Sequence, residues 1–302
     1  QGTPEMSSLD DHTRKTKLGI IGGSGLYEID GLKNSNWIDV ESPFGTPSDK
    51  FLCGVLNGLE IVFLPRHGRG HIHSPTSINF RANIDSLKRL GVTDIISLSA
   101  VGSLRQDFEP GHFVVADQFI DRTFLRNNSF FGSGCVAHVS MANPVCNRLA
   151  KKIFTSGKLL PDLKLHSKGT YIVIEGPQFS SFAESNLYRN WGCSIIGMTN
   201  MPEAKLAREA EICYATVGMV TDYDCWHSGH EAVTVDKVIK CVNENANKAR
   251  SLVSLLAKEI EIERTYCGGG CDRALDNALM TEAAEQDSKI INNLSAIIGQ
   301  RK

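Results

Sequence analysis

Short runs of apolar and β-branched residues alternate along the chain with longer stretches in which apolar residues recur at helical spacing. Six of the short runs are predicted strands: LGII (18–21), LEIVFLP (59–65), DIISLSA (94–100), HFVVADQF (112–119), GTYIVIEG (169–176) and ICYATVGMVTD (212–222). Most are continuously apolar, which is typical of strands buried on both faces of a sheet. The pattern therefore predicts an α/β fold in which helices cover a central sheet.

Five stretches between and after these runs have the pattern of helices. They cover residues 77–90, 143–155, 181–191, 201–210 and 234–258. Gly91 follows the first as a stop signal, and Thr234 is a plausible N-cap for the last. Beyond Glu263 a glycine cluster is followed by a helical pattern over 273–298, which predicts terminal helices packed on the body or on a neighbouring subunit.

The domain organisation follows from the same pattern. Residues 1–16 are polar and lack the apolar core of a signal peptide, so we expect a disordered N-terminal segment or an expression remnant. Residues 17–302 contain no low-complexity linker and are predicted to form a single domain with C-terminal helices.

Composition and charge exclude some classes of partner. The net charge is -2, so no overall positive field attracts nucleic acid. No apolar run approaches the roughly 20 residues that span a bilayer, so we expect no membrane partner. A cytoplasmic protein is expected, and nuclear presence is left open.

The nine cysteines are scattered along the sequence and do not have the spacing of zinc ligands. Their odd number also argues against a secreted disulfide framework, so we expect reduced thiols. Cys267 and Cys271 enclose three glycines and could form a small disulfide, but unpaired thiols are the favoured interpretation. Four others are interpreted as small hydrophobic residues: Cys53, Cys193, Cys213 and Cys241.

GIIGGSGL (19–26) is a strand running into a glycine turn, where backbone N–H groups and the Ser24 hydroxyl can approach an anion. A tight turn without a ligand explains this stretch equally well. A dinucleotide fingerprint is excluded, because Glu28 stands where that motif requires Gly or Ala.

Two further strand ends carry groups that bind anions. In PRHGRGH (65–71), Arg66 offers a planar fork that suits phosphate and His67 adds another donor, although a solvated basic turn is the alternative. In SLSAVGSL (97–104), the Ser99 hydroxyl and the Ala100 N–H follow a buried strand. Because the ends of neighbouring strands converge, these loops predict one anion site.

TDYDCW (221–226) places two carboxylates at the end of an almost wholly apolar strand. Buried charges are costly unless they are used, and a buried carboxyl with a raised pKa can serve as an acid. Asp222 or Asp224 could protonate a departing base. The alternative is a pair of aspartates that cap the helix near Thr234.

Together with EGPQFSSFAES (175–185) and MTNMPEAKLAREAEICYA (198–215), these segments resemble the trimeric purine nucleoside phosphorylase family, in particular its branch that cleaves 5'-methylthioadenosine. The resemblance covers roughly residues 17–254. It implies a single-domain nucleoside phosphorylase fold with a central twisted mixed β-sheet flanked by helices. It also implies phosphorolysis of 5'-methylthioadenosine to adenine and 5-methylthioribose 1-phosphate in purine and methionine salvage, with adenosine as a second candidate substrate.

The resemblance assigns roles to matching positions. The implied phosphate site is Ser24, Arg66, His67, Ser99, Ala100 and Thr199. The implied nucleoside site is Phe179, Met198, Asp222, Asp224, His71 and His138, and the implied specificity positions are Ser180, Val233, Val235 and Val238. Asp222 would share a proton with purine N7, and Asp224 would accept a hydrogen bond from the 6-amino group.

The family also implies a homotrimer with active sites at subunit boundaries, so that His138 serves the neighbouring protomer's site. It implies no metal and no cofactor, with inorganic phosphate as co-substrate.

Four positions depart from the expected family pattern. Gln178 and Phe182 replace arginines, and Ser24 and Ser99 replace threonines. Three alternatives therefore stay open: a purine nucleoside phosphorylase of broader or 6-oxopurine specificity, a catalytically weakened nucleoside-binding protein and, more distantly, a dehydrogenase.

Overall fold

The computed structural model describes residues 13–23, 25–229 and 233–299. The strands are β1 Arg14–Lys15, β2 Lys17–Gly22, β3 Lys33–Ile38, β4 Phe51–Leu56, β5 Leu59–Pro65, β6 Asp94–Ser103, β7 Phe113–Val115, β8 Gln118–Arg122, β9 Leu165–His166, β10 Thr170–Ile174, β11 Ile195–Gly197, β12 Cys213–Asp222 and β13 Glu263–Arg264. The helices are α1 Phe80–Arg89, α2 Asn147–Gly157, α3 Phe182–Asn190, α4 Asn200–Glu209, α5 Val235–Glu259, α6 Ser288–Asn293 and α7 Ser295–Ile298.

Eleven of the described strands form one mixed sheet. Eight of them follow the order β3-β4-β5-β2-β6-β11-β10-β8. Strand β12 also pairs with β6, β7 pairs with β12, and β9 pairs with β7. Strand β6 is parallel to β2 and β12 and antiparallel to β11. The mixed sheet of the predicted α/β fold is thereby confirmed.

Side chains alternate between the two faces of the sheet along each strand, and in the central strands both sets are apolar. Helices therefore cover both faces. Ile21 and Ile95 belong to the core that contains residues of α1 and α4. Ile20 and Ile96 belong to the opposite core, which contains residues of α2 and α5. The continuous apolar runs in the sequence thus correspond to strands with apolar contacts on both sides.

The predicted elements differ from the observed ones mainly at their ends. The predicted strand 112–119 is two strands, β7 and β8, separated by Ala116 and Asp117. Thr234 is the N-cap of α5, but its side chain makes no capping hydrogen bond. The predicted helical pattern over 273–298 overestimates the helix content of this segment. Among the described residues it contains two short 3-10 turns followed by α6 and α7.

The folded part of the chain begins before residue 17. Strand β1 pairs with β13 near the other end of the chain, and the Thr16 N–H donates to Ile262 O at 2.7 Å. Residues 13–16, which the sequence analysis placed in the N-terminal segment, are therefore part of the domain. None of the helices that the structure describes is long and apolar enough to cross a membrane.

The cysteines are less scattered in space than in sequence. All nine are free, so Cys267 and Cys271 form no disulfide in this structure. The fold nevertheless brings these two together with Cys146 and Cys213, and the four buried Sγ atoms lie within 4.8 Å of one another. Of these four, only Cys213 was interpreted from the sequence as a small hydrophobic residue, and its meeting with three other thiols was not predicted.

Candidate active site

The predicted anion-binding residues surround a gap beside the middle of β6. Two strands share one edge of β6. Strand β2 pairs with residues 94–97 in parallel, and β11 pairs with residues 102 and 103 in antiparallel orientation. Residues 98–101 therefore lie between the ends of two strands, without a β partner on that edge among the described residues. Ser99 and Ala100 both lie in this gap, and Ala100 is exposed.

Arg66 reaches the same gap from the end of β5. Its backbone N–H donates to Gly22 O at 2.9 Å, which fixes it beside the glycine turn after β2. Its Nη1 donates to Leu98 O at 3.1 Å. Ser24, predicted from that glycine turn, lies outside the described residues.

The Arg66 side chain is not free to act as an isolated cation. Nε and Nη2 donate to the Glu203 carboxylate, and Nη2 also donates to the Ser97 hydroxyl. Ser97 and Tyr214 hydroxyls in turn donate to Glu203 Oε1 at 2.7 and 2.8 Å. Because Glu203 balances the charge of Arg66, an anion here would be held by positioned donors and by a rigid guanidinium rather than by a net positive charge.

His67 is neutral in this environment. Its ring Nδ1 lies 2.9 Å from His73 O, and the ring stacks on His71 with centroids 4.2 Å apart. Burial and the nearby Arg66 charge lower the pKa of His67 to about 4. With the Nδ1 proton donated to a carbonyl, Nε2 of the neutral ring is an acceptor.

Ser99 and Thr199 are linked through Tyr171. The Ser99 and Tyr171 hydroxyl oxygens are 3.1 Å apart, and Thr199 also contributes to the environment of the Tyr171 hydroxyl. A Cβ on Gly197 would lie 2.1 Å from that hydroxyl, so glycine is required where the tyrosine crosses β11. Burial raises the pKa of Tyr171 to about 12, so it is a neutral hydroxyl that orders the serine and threonine.

Met198 is held by a buried ion pair that the sequence analysis did not identify. Arg126 donates from Nε to Glu175 Oε2 at 2.7 Å and from Nη1 to Met198 O at 2.7 Å. Burial raises the pKa of Glu175, but the hydrogen bonds from Thr76 and Arg126 and from two backbone N–H groups outweigh it and leave the pKa at about 2. Glu175 is therefore a fixed anion that anchors the segment following β11.

Asp222 ends β12 next to Gly102, and a β-bulge precedes it. Its Oδ2 accepts from the Thr221 hydroxyl at 2.6 Å and its Oδ1 from the Asp224 N–H at 2.8 Å. Burial raises the pKa of Asp222 above its usual value. Gly102 is three residues beyond Ser99 on β6, which places Asp222 about 10 Å along the sheet from the predicted anion site.

Asp224 is the second carboxyl of the pair. Its backbone has φ +52°, its side chain is 6% exposed, and its Oδ2 has no hydrogen-bond partner among the described residues. Burial raises the pKa of Asp224 to about 6, the Ser185 hydroxyl opposes the rise by a hydrogen bond to the carboxyl, and the neighbouring Asp222 charge adds to it. Neither aspartate caps α5, which begins eleven residues after Asp224. The Ser185 hydroxyl lies beside this carboxyl, and Oδ2 can accept a further hydrogen bond from a ligand.

The loop after β10 adjoins this carboxyl pair. The Cys225 thiol lies 3.5 Å from Ser180 O, so Ser180 borders the turn that carries Asp224. The Ser180 hydroxyl is buried without a hydrogen-bond partner among the described residues. Phe179 is 45% exposed, and Gln178 and Phe182, the departures from the expected arginines, are exposed at the rim.

Helix α5 reaches the site with its N-terminal half. Cys241 and Asn245 contact Val220 O, two residues before Asp222, at 3.6 and 3.2 Å. Val238 lies three residues before Cys241 and so on the same side of the helix. Val233 and Val238 are half-buried, whereas Val235 is 61% exposed.

His138 is the predicted residue that the fold does not bring to the others. It is exposed, and its backbone N–H donates to Ala278 O at 2.9 Å in the C-terminal segment. No hydrogen bond between described residues joins it to Arg66, Ser99 or Asp222. The described part of a single chain therefore provides no contact that supports a role for His138 at this site.

Comparison with known proteins agrees with this architecture. The sequence model of the phosphorylase superfamily matches residues 17–258. An S-methyl-5'-thioadenosine phosphorylase from Cereibacter sphaeroides is 57% identical over 286 residues, which cover 95% of this chain and 98% of that relative.

Solved structures give the same result. The crystal structure of a methylthioadenosine phosphorylase from an antarctic soil metagenomic library matches with a TM-score of 0.88 at 44% identity, over 94% of this chain and 99% of that one. A single-site mutant of the adenosine/methylthioadenosine phosphorylase from Schistosoma mansoni, in complex with methylthioadenosine, matches with a TM-score of 0.75 at 32% identity, over 95% and 99% of the two chains. The chain belongs to the phosphorylase superfamily and, within it, to the S-methyl-5'-thioadenosine phosphorylases.

Proposed function

We propose that this protein catalyses the phosphorolysis of 5'-methylthioadenosine to adenine and 5-methylthioribose 1-phosphate. The observation that carries the proposal is the unpaired, buried Oδ2 of Asp224 beside Asp222, about 10 Å along β6 from Ser99. This spacing fits a nucleoside whose sugar lies over an anion and whose base reaches the carboxyl pair.

Phosphate binds in the gap beside residues 98–101. Arg66, held rigid by Glu203, supplies its remaining Nη1 hydrogen, and the Ser99 and Thr199 hydroxyls, the Ala100 N–H and Ser24 supply further donors. His67 Nε2 accepts from the phosphate oxygen that carries a proton. Positioned donors of this kind stabilise the anion without a metal, and we propose that no resident cofactor takes part.

Adenine is recognised by the carboxyl pair. Asp224 Oδ2 accepts from the 6-amino group, a donor additional to the Ser185 hydroxyl beside this carboxyl. A 6-oxopurine would place an acceptor against it instead, which disfavours the 6-oxopurine alternative. Met198 and Phe179 lie against the ribose and base, and His71 closes the pocket from the β5 loop.

In the reaction, a phosphate oxygen attacks the ribose C1' as the bond from C1' to N9 breaks, and the bonding electron pair moves onto the purine. Asp222 shares a proton with N7 as that charge develops, and burial favours this role because it raises the pKa of the carboxyl. Exclusion of water from the pocket prevents hydrolysis from competing with phosphate.

The active unit is proposed to be a homotrimer with sites at subunit boundaries, acting in the cytoplasm. The exposure of His138 supports this proposal, because its side chain is accessible to a neighbouring subunit. The exposure of Val235 supports it too, because this apolar side chain would border a methylthio pocket that a single chain leaves open.

Adenosine is a second candidate substrate. The related Schistosoma mansoni enzyme is named for both adenosine and methylthioadenosine. The same contacts to adenine would serve both nucleosides, and only the group at the 5' position would differ.

Adenine release from 5'-methylthioadenosine, measured with and without phosphate and beside inosine, tests the function. We expect release that requires phosphate and exceeds the release of hypoxanthine from inosine. Faster turnover of inosine would establish the 6-oxopurine alternative, and nucleoside binding without phosphate-dependent release would establish the weakened binding protein. Adenine release that is equally fast without phosphate would refute phosphorolysis.

A further inference from the structure

Four buried thiols from three separate parts of the chain meet at the end of the sheet opposite the active site. Cys146 precedes α2, Cys213 opens β12, and Cys267 and Cys271 flank the glycine turn after β13. Their Sγ atoms all lie within 4.8 Å of one another. Cys213 is at the other end of β12 from Asp222, about 30 Å away along the strand, so this cluster is separate from the nucleoside site.

The spacing of the sulfur atoms matches a tetrahedral metal site. Four thiolates about 2.3 Å from a zinc ion have neighbouring sulfur atoms about 3.8 Å apart. The Sγ atoms of Cys146 and Cys267 are 3.7 Å apart. A disulfide would require about 2.0 Å, so this pair is not a cystine, and its separation fits two metal ligands as well as a thiol hydrogen bond.

The glycine turn presents two of the thiols together. The segment from Cys267 to Cys271 has the CxxxC spacing found among structural zinc sites. Gly270 has φ +71°, and the Cys267 N–H is held by the Asp272 carboxylate at 3.0 Å. The turn is thereby fixed with both Sγ atoms on its inner side, where a Cβ on Gly269 would be 3.7 and 3.9 Å from them.

Basic side chains surround the cluster. Arg264 Nη2 lies 3.6 Å from Cys213 Sγ, and Arg208 Nη2 lies 4.0 Å from Cys271 Sγ. Arg148 is ion-paired with Asp94 and also donates a hydrogen bond to the Cys213 thiol. Arg264 is ion-paired with Asp94 and Asp272. A zinc ion with four thiolates has a net charge of −2, and donors of this kind stabilise it by N–H···S contacts.

We propose that Cys146, Cys213, Cys267 and Cys271 bind one structural Zn²⁺ ion. Binding replaces the four thiol protons, which are released to solvent, and involves no oxidation or reduction. All four coordination positions are filled by protein, so the ion has no position for a substrate. The site fastens the segment after α5, which lies beyond the residues that match the phosphorylase superfamily model, to the start of α2 and β12.

Metal analysis of the tag-free wild-type protein, purified without chelators, tests the proposal. We expect one zinc per chain by plasma mass spectrometry and X-ray absorption with four sulfur neighbours at about 2.3 Å. A thiol titration in denaturant with chelator should then find all nine cysteines reduced. Absence of stoichiometric zinc, iron in its place, or four missing thiols in that titration would each overturn the proposal.

A matched pair of variants separates zinc binding from ordinary packing. Cys271→Ala removes one ligand, whereas Cys193→Ala removes an equally buried thiol outside the cluster, each residue being 3% exposed. We expect the first to lower the zinc content about tenfold or more and the second to leave it unchanged. Equal zinc content in both variants would contradict the assignment. If Cys271→Ala does not fold, the wild-type metal analysis decides alone.

Discussion

Arg66 and Glu203 form a two-point ion pair beneath the proposed phosphate site, with Nε to Oε2 at 2.8 Å and Nη2 to Oε1 at 3.0 Å. Both side chains are 2% exposed. Removal of one partner from such a pair leaves a buried charge without compensation, which is far more costly than the loss of an exposed pair. The pair therefore connects the orientation of a phosphate ligand to the stability of the fold.

Glu203→Ala should lower the free energy of unfolding by about 3–5 kcal/mol because Arg66 would be left buried and unpaired. Asp107→Ala is the control, since it removes the exposed partner of Arg105 and should cost no more than about 1 kcal/mol. Urea unfolding at matched protein concentration measures both. A Glu203→Ala midpoint equal to that of the control would show that the pair contributes little.

Asp222→Asn should reduce kcat for 5'-methylthioadenosine several tens-fold or more, with a much smaller change in KM, because the lost proton acts mainly in the transition state. The shape of the side chain and its acceptor for the Asp224 N–H are retained. Steady-state phosphorolysis assays of this variant and of Asp107→Asn give the comparison. The proposed acid role does not survive if kcat is unchanged.

Asp224→Asn should shift the preference from 6-amino to 6-oxopurines, because the amide can donate where the carboxylate can only accept. The sharpest comparison uses 5'-methylthioadenosine and 5'-methylthioinosine, which differ only at the purine 6 position. We expect the ratio of their kcat/KM values to change by about tenfold or more, equivalent to about 1.4 kcal/mol. If the ratio stays at the wild-type value, the 6-amino group is recognised elsewhere.

The sheet was predictable because strand burial leaves a strong signal. LEIVFLP coincides with β5 and the long apolar run at 212–222 with β12, since both are enclosed by apolar layers. The edge strand β3 was missed because its sequence, KNSNWI, is largely polar and exposed. Strand β11 was missed because three residues are too short for a sequence pattern. It is recognised as a strand by its pairing with β6 and β10.

The site was predictable only where a residue type suggested its chemistry. Arg66 and Asp222 are candidates from the sequence because a guanidinium and a carboxylate at the ends of apolar strands suggest binding or catalysis. The residues that orient the candidate site, Glu203 and Tyr171, were not predicted. They lie far in sequence from their hydrogen-bond partners Arg66 and Ser99, and these hydrogen bonds depend on the topology of the sheet. The only available signals were a glutamate at the start of a predicted helix and a tyrosine within an apolar strand.

The proposal that active sites lie at subunit boundaries leads to a complementation prediction. His138→Ala and Asp222→Asn should each impair phosphorolysis, and mixed assemblies isolated through two different affinity tags should regain part of the wild-type rate. Recovery follows because a site that combines one subunit's Asp222 with the neighbour's His138 can be intact. If His138 served its own chain, every site would lack one residue and no rate would return. Full activity of His138→Ala alone would contradict its role.

The burial of Asp224 predicts how stability depends on pH in the substrate-free protein. Its pKa is raised by burial from 3.8 to about 6, so between these values the folded state holds its proton more tightly than the unfolded state. The contribution of this group to stability is therefore present in acid and is lost as the pH rises through 6. Because the pKa is raised by about two, the ionised carboxylate lowers the free energy of unfolding at pH 8 by roughly 3 kcal/mol.

Asp224→Asn removes this ionisation and suits the left-handed backbone at φ +52°. The variant should therefore unfold at a higher urea concentration than the wild type at pH 8, by up to roughly 3 kcal/mol, and its advantage should shrink at pH 5, where the wild-type carboxyl is largely protonated. Asp107→Asn should show no such gain at pH 8, because its exposed carboxylate has a pKa lowered by Arg105. A variant advantage that is equal at both pH values would mean that the cost at Asp224 does not arise from its charge.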